Sequence, residues 1–448
     1  MKTYQVPCIF NKIDCAGSQP AITVAVPGSK SITNRALLLA TLAEGTSTLR
    51  GTLFSEDSRY FLSCIEELGF DTGVDEEKRV VYVTGKGGVV PKEKASVYVG
   101  SAGTAARFLT AFLGLKGGEY HLDSSDQMKK RPMDSLLESL KKLGAKVIFE
   151  GEPGHFPFVI QGACDDRGQQ EEICVTVDVN RSSQFLSALL ISACRMGKTM
   201  KIQVEGDHGM AYVDMTVRMM EQFGIRVRKE GERIFCIDAG AGYHALDYRI
   251  EPDVSAACYF YAMSPILGLG VTVEGVKKDS MQGDLRFLQL LEKMGCTLKE
   301  GEKGLTLLPP ADGHYHGITA DMSTCSDQAI TMAATAVFAD SPTTITGIGH
   351  IRFQESNRLQ AIVNELTRLG IRCESTKDSV TIYPGMPQPA VIQTYEDHRM
   401  AMGFSLIGLR AEGITIDDPL CCKKTFENYF EVLEETLAKL GNVKGSLT

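Results

Sequence analysis

Nothing in this chain is long or apolar enough to suggest a membrane span. The apolar runs fall short of the ~18 residues a span requires, and Met1-Lys2-Thr3-Tyr4-Gln5-Val6-Pro7 lacks the apolar stretch of a signal peptide. A cytoplasmic protein is therefore expected. An excess of positive charge is also missing: 47 Lys and Arg stand against 56 Asp and Glu, a net charge of −9. That balance argues against general binding to nucleic acid or an acidic membrane, so any anion site must be a local basic cluster in an acidic envelope. The thirteen cysteines are scattered, odd in number and never spaced Cys-x-x-Cys. They read as small apolar core residues in a reducing compartment, not as a zinc site or disulfide framework. His314-Tyr315-His316 lies in a Gly- and Pro-rich stretch without neighbouring Cys or carboxylate spacing, so it reads as a solvated loop, and no metal is expected. What remains, 43% hydrophobic and 23% charged residues, is ordinary for a globular protein.

What the chain does have is a repeat. Amphipathic runs end in a bulky apolar residue and glycine at Leu68-Gly69, Leu143-Gly144, Phe223-Gly224, Met294-Gly295, Leu369-Gly370 and Leu440-Gly441, with glycine spacings of 75, 80, 71, 75 and 71. Between them lie six more uniformly apolar runs, opened by polar clusters near Ser31, Gly103-Thr104, Ser182-Ser183-Gln184, Asp253-Val254-Ser255, Ser326-Asp327-Gln328 and Asp397-His398-Arg399. β-branched segments such as Val80–Val83, Lys146–Phe149 and Ser379–Tyr383 predict strands between the helices. The pattern is one α/β unit of two helices and several strands used six times, and 448 residues exceed what one core sustains. Two domains of three units each follow. The apolar helices should be buried, the amphipathic ones should lie nearer solvent, and the glycines should cap them in a left-handed conformation.

The chemically distinctive residues gather at predicted helix starts, where unpaired N–H groups and the positive dipole end favour anions. Pro27-Gly28-Ser29-Lys30-Ser31 with Asn34-Arg35 is not a nucleotide P-loop, because Ser29 and Val24 occupy positions that motif reserves for glycine. It offers a Lys, a Ser and an Arg to a phosphate or carboxylate. Gly103, Thr104 and Arg107 begin another run, Arg131 precedes Pro132, a favoured first helical residue, and Ser182, Ser183 and Gln184 supply neutral donors. Gln354, Glu355, Arg358, Arg399, Lys423 and Lys424 extend the series. Many Arg and Lys, hydroxyl donors, an Asp and a Glu suit acid–base transfer between two small anions.

These stretches resemble the 5-enolpyruvylshikimate-3-phosphate synthase family nearly end to end. The resemblance is carried by Pro27–Ser31 with Asn34-Arg35, Ala102–Ala105 with Arg107, Arg131-Pro132, Ser182–Leu186, Glu355–Leu359, Asp397–Ala401, and Asp418-Pro419 with Lys424-Thr425-Phe426. It implies an α/β fold, an inverted two-domain, barrel-like prism of six βαβαββ-type units with the site in the cleft. The first domain would combine 1–27 with 250–448, the second would be 28–249, and hinges would lie near 27–30 and 248–252. The implied activity moves the enolpyruvyl group of phosphoenolpyruvate to the 5-hydroxyl of shikimate 3-phosphate, with no cofactor and as a monomer.

By position, the resemblance places Lys30, Arg131, Arg358, Arg399 and Lys424 around phosphoenolpyruvate, with Gly103, Thr104 and Gln184 beside it. Ser31, Arg35, Ser182, Ser183, Gln184, Tyr212, Asp327, His350 and Gln354 would hold shikimate 3-phosphate. Asp327 would receive the hydroxyl proton, and Glu355 and Lys30 would handle the methylene proton. This chain departs from the family pattern at four positions: Gln354 replaces a lysine, His350 an amide, Ser101 an asparagine, and Gly209 a serine three residues before Tyr212. Most of these changes fall on the acceptor side. Two other readings are a non-catalytic or altered-acceptor paralogue and the sister transferase acting on UDP-N-acetylglucosamine. The sister family places a reactive cysteine before the Arg-Pro step, and Ser124–Lys130 contains none.

Overall fold

The computed structural model describes residues 2–10, 20–163, 171–440 and 446–447. Gly441, the last repeat glycine, and Met1 lie outside the described residues. The chain divides into two compact units, one made of Met1–Pro27 with Glu251–Thr448 and the other of Gly28–Ile250. The described residues form six four-stranded sheets, three in each unit. The repeat is visible in the hydrogen bonding alone. In the sheet that begins at Lys94–Tyr98, this strand pairs in parallel with Glu119–Asp123, which pairs antiparallel with Phe158–Gln161, and Lys146–Phe149 forms the edge. The helix Gly103–Gly114 connects the parallel pair and Asp134–Lys142 follows the second strand, giving βαβαββ order.

At the two passages between units the first strand of the sheet is supplied from a distant part of the sequence. Asp247–Arg249 pairs in parallel with Glu44–Arg50 in the register Tyr248↔Leu49. Ala21–Val24 pairs in parallel with Gly270–Glu274 in the register Ile22↔Val271. Each exchange satisfies backbone groups that would otherwise form an open edge. The passage at Gly28 is tight, since a Cβ there would meet the carbonyl oxygen of Gly51 at 1.9 Å.

Two kinds of helix alternate, as the apolar and amphipathic runs predict. Every residue of Gly103–Gly114 is buried. Asp134–Lys142 instead buries Leu136, Leu137, Ser139 and Leu140 along one stripe and ends in Lys141 and Lys142, which suit the negative dipole end. Gly144 then takes φ 98°, and the Ala145 N–H returns to the Leu140 carbonyl at 3.0 Å. Gly69, Gly224, Gly295 and Gly370 close their helices with φ of 91°, 107°, 112° and 74°. A side chain in that region clashes with the backbone, which explains why the repeat is marked by glycine.

Two sequence expectations need correction. Tyr315 is not part of a solvated loop: it is buried, and its hydroxyl donates to the Thr335 carbonyl at 2.7 Å while His314 and His316 stay exposed. Its ring fills core volume and its one polar atom is satisfied. Pro132 is not the first helical residue either. A short helix occupies Asp126–Lys129, Arg131 and Pro132 follow it, and the next helix begins at Asp134 behind Met133.

Candidate functional site

The unit of residues 28–250 gathers its basic groups around the starts of buried helices. Lys30 is the first residue of the helix Lys30–Leu42, which Ser29 caps. Its ammonium lies 3.5 Å from Asp57, a buried carboxylate whose second oxygen has no hydrogen-bond partner. Arg35, one turn further, is 2% exposed, and its guanidinium donates to neutral oxygens: Thr216 Oγ1 at 2.8 Å, the Ser31 carbonyl at 3.0 Å, the Tyr212 carbonyl at 3.2 Å and Ser187 Oγ at 3.4 Å. Burial pulls its pKa down to about 10, so it stays charged at neutral pH without a carboxylate against it.

Arg107 and Arg131 converge on Gly103. A Cβ built on Gly103 would stand 2.7 Å from Arg131 Nη1 and 3.0 Å from Arg107 Nη1. Only a residue without a side chain lets both guanidinium groups close over that helix start. Arg107 is itself buried, and its partners include the carbonyls of Gly103 and Pro132. In the next repeat the Ser182 hydroxyl accepts the Gln184 N–H at 3.3 Å, and the Gln184 Oε1 is buried without a partner. Gly209 has φ 67°, and a Cβ there would lie 2.5 Å from Ser183 Oγ. Ser183 thus fills the space that a serine side chain at 209 would need, a physical account of that departure. Tyr212 contributes its carbonyl to Arg35 and Thr216.

In the other unit the cations are tied to carboxylates. Arg358 opens the helix Arg358–Arg368 and is 2% exposed. Its Nε and Nη2 donate to Asp397 at 2.8 and 3.1 Å, Nη2 to Glu355 at 2.9 Å, and Nη1 to Asp327 at 3.1 Å. Burial would lower its pKa, but the three carboxylates outweigh burial and raise it. Asp327, which follows Ser326 in a 3₁₀ turn, also accepts from Arg399 Nη2 at 2.7 Å, and Arg399 Nη1 donates to the Tyr259 hydroxyl at 3.3 Å. Lys424, in the 3₁₀ turn Pro419–Lys424, lies 3.7 Å from Glu355.

Gln354 gives its side-chain carbonyl to Arg358, and His350 Nε2 shares a hydrogen with Ser326 Oγ at 2.7 Å. Behind Asp327 sits Asp284, buried and bonded by the Ser255 hydroxyl. Burial pushes its carboxyl up to about 7, with Asp327 adding to the shift and Arg399 opposing it.

Each unit therefore brings its own share of the expected residues together. In the unit of residues 28–250, Lys30, Ser31, Arg35 and Tyr212 form one group and Gly103 with Arg131 another. In the other unit Asp327, Gln354, Glu355, Arg358, Arg399 and Lys424 form a single bonded network. Sequence reasoning missed Asp57, Asp397 and Asp284 as the acidic partners, and it did not place Arg107 among the site residues. Asp397 was visible only as a helix opener. No spacing signal marks Asp57 or Asp284.

A fold of repeated βαβαββ units with clustered guanidinium, ammonium and carboxylate groups at helix starts defines an α/β protein built to handle small anions. The sequence profile of EPSP synthase (3-phosphoshikimate 1-carboxyvinyltransferase) matches residues 17–433. The chain is 43% identical over 431 residues to the 3-phosphoshikimate 1-carboxyvinyltransferase of Trichormus variabilis, covering 96% of this chain and 98% of that one. It is 40% identical to the enzyme of that name from a Sulfurovum species, covering 92% and 95%. The solved EPSP synthase of Acinetobacter baumannii shares the fold, with a TM-score of 0.79 over 100% of both chains at 24% identity. The chain belongs to the EPSP synthase family.

Proposed function

We propose that this chain transfers the enolpyruvyl group of phosphoenolpyruvate to the 5-hydroxyl of shikimate 3-phosphate and releases inorganic phosphate. The observation that carries this reading is the network around Arg358, in which Asp327, Glu355 and Asp397 are bonded to one guanidinium. It stands in a chain similar over nearly its whole length to enzymes bearing that reaction's name. Lys30, Arg131, Arg358, Arg399 and Lys424 bind phosphoenolpyruvate, with Gly103, Thr104 and Gln184 beside it. Ser31, Arg35, Ser182, Ser183, Gln184, Tyr212, Asp327, His350 and Gln354 serve the acceptor.

In the addition step the 5-hydroxyl oxygen attacks C2 of phosphoenolpyruvate while its proton passes to Asp327. Glu355 or Lys30 delivers a proton to the C3 methylene, giving a tetrahedral adduct. In the elimination step a C3 proton returns to the same group, the C2–O bond to phosphate breaks, and phosphate leaves with the electron pair. Arginine is suited to the carboxylate and phosphate because its planar fork donates two parallel hydrogen bonds.

The test is a coupled phosphate-release assay with phosphoenolpyruvate and either shikimate 3-phosphate or UDP-N-acetylglucosamine. Turnover with shikimate 3-phosphate alone is expected. Turnover only with the sugar nucleotide would transfer the chain to the sister reaction. No release at saturating levels of either pair would overturn the reading in favour of a binding paralogue.

A further inference from the structure

The segment Gln393–Glu396 enters the helix His398–Gly408 in a strained conformation. Tyr395 and Glu396 both have φ of 56°, a region in which a side chain crowds the following carbonyl. Consecutive non-glycine residues of this kind persist only where surrounding groups over-determine them. Directly after them comes Asp397, the N-cap, which accepts the Arg399 N–H at 3.0 Å and the forked bond from Arg358. The conformation at 395 and 396 therefore sets the entry of the helix turn that bears Arg399.

The group that holds this segment is Glu365, fully buried in the helix that begins at Arg358. Its Oε1 accepts the Tyr395 hydroxyl at 2.7 Å and its Oε2 accepts the Gln393 N–H at 3.0 Å. Arg368, from the same helix, donates to Oε2 at 2.9 Å and orients the carboxylate. Asn364 donates to the Tyr395 hydroxyl at 3.3 Å, and the Thr394 N–H is held by Asp417 at 2.9 Å. One helix thus grips the approach to Asp397 through Glu365 and grips Asp397 itself through Arg358, about two turns apart. Among the described residues, the bonds of the Glu365 carboxylate go to Tyr395, Gln393 and Arg368, so its influence on the network around Asp327 runs through the strained segment.

We propose that Glu365 is a positioning residue, a clamp that holds Tyr395 and Glu396 in their left-handed conformation and so aims Arg399 at its anionic substrate. The inference rests on the functional reading above, in which Arg399 binds phosphoenolpyruvate. Without the clamp the segment relaxes toward negative φ, the Asp397 cap turns with it, and Arg399 loses its alignment.

The test is steady-state kinetics of the full chain and its Glu365→Ala and Glu365→Gln variants, varying each substrate in turn. Glu365→Ala should raise KM for phosphoenolpyruvate about ten-fold, equivalent to about 1.4 kcal/mol, with a clearly smaller change for shikimate 3-phosphate. Glu365→Gln, which keeps one carbonyl acceptor, should show the same split at smaller size, and it carries the test if the alanine variant does not fold. Adding Glu396→Gly to Glu365→Ala should recover part of the phosphoenolpyruvate affinity, because glycine holds the left-handed conformation without strain. A lowered thermal midpoint with both KM values unchanged, or raised equally, would overturn the proposal and leave Glu365 a purely structural residue. Absence of turnover in the unsubstituted chain would instead count against the functional reading itself.

Discussion

Arg358 opens an amphipathic helix and Arg35 lies in the second turn of an apolar one; both are 2% exposed and both stand in a stretch the family shares, yet their surroundings are opposite. Arg358 meets three carboxylates and its pKa rises, whereas Arg35 meets hydroxyls and carbonyls and its pKa falls to about 10. The difference teaches what each region can do for an anion. Around Arg358 the charge is already compensated, so an arriving carboxylate or phosphate must share donors with Asp327, Glu355 and Asp397, which gives order and proton-transfer groups at the expense of net attraction. Around Arg35 the guanidinium has been taken from water against neutral oxygens, and a bound anion would supply the compensation that Asp57 already gives Lys30.

The contrast can be broken most directly at Glu355, which bonds Arg358 and lies near Lys424. Glu355→Gln should slow turnover by about 10²–10⁴-fold while leaving phosphoenolpyruvate binding largely intact, as read by single-turnover kinetics and ligand-induced fluorescence change. Wild-type turnover would remove Glu355 from the chemistry. Removing the two arginines compares the regions through stability. Arg358→Met leaves a set of carboxylates without their cation and should destabilise by about 3–5 kcal/mol. Arg35→Met leaves only neutral groups unpaired and should destabilise by about 1–3 kcal/mol. Urea unfolding of both would show equal losses if the charge environments did not matter.

A smaller effect is expected at Gly103, where a methyl group would press on Arg131 and Arg107. Gly103→Ala should raise KM for phosphoenolpyruvate by about ten-fold, or about 1.4 kcal/mol, with kcat changed less. A pH effect is expected at Asp284. Burial pushes its carboxyl up to about 7 when folded, against about 3.9 when unfolded, so between those values the folded chain holds a proton the unfolded chain has released. Stability should therefore fall as pH rises from about 4 to about 7. Asp284→Asn should flatten that slope, measured as the urea midpoint across the same range. An unchanged slope would detach Asp284 from the Asp327 network.

Much of the architecture was legible because it depends on local rules. A left-handed cap needs glycine wherever it occurs, so Gly69, Gly144, Gly224, Gly295 and Gly370 announce their helices. Asp253 and Asp397 announce theirs because a short carboxylate can accept an N–H of the first turn, from Ala256 and Arg399 respectively. Local rules also misled. Pro132 has the right residue type for a helix start, but a separate short helix at Asp126–Lys129 displaces the beginning to Asp134. Gln354, a residue expected on the acceptor, gives its side-chain carbonyl to Arg358, a contact no helical periodicity announces because the helix begins only at Arg358.

By itself the sequence determined the repeat, the kind of each helix and the set of cations available, because caps, periodicity and charge are properties of short segments. Only the tertiary structure decided which cations are neutralised. Asp57 reaches Lys30 from the following helix, and Asp397 reaches Arg358 from the next repeat. Partner choice is a matter of distance between side chains far apart in the chain, and that distance is set by the packing of sheets and buried helices.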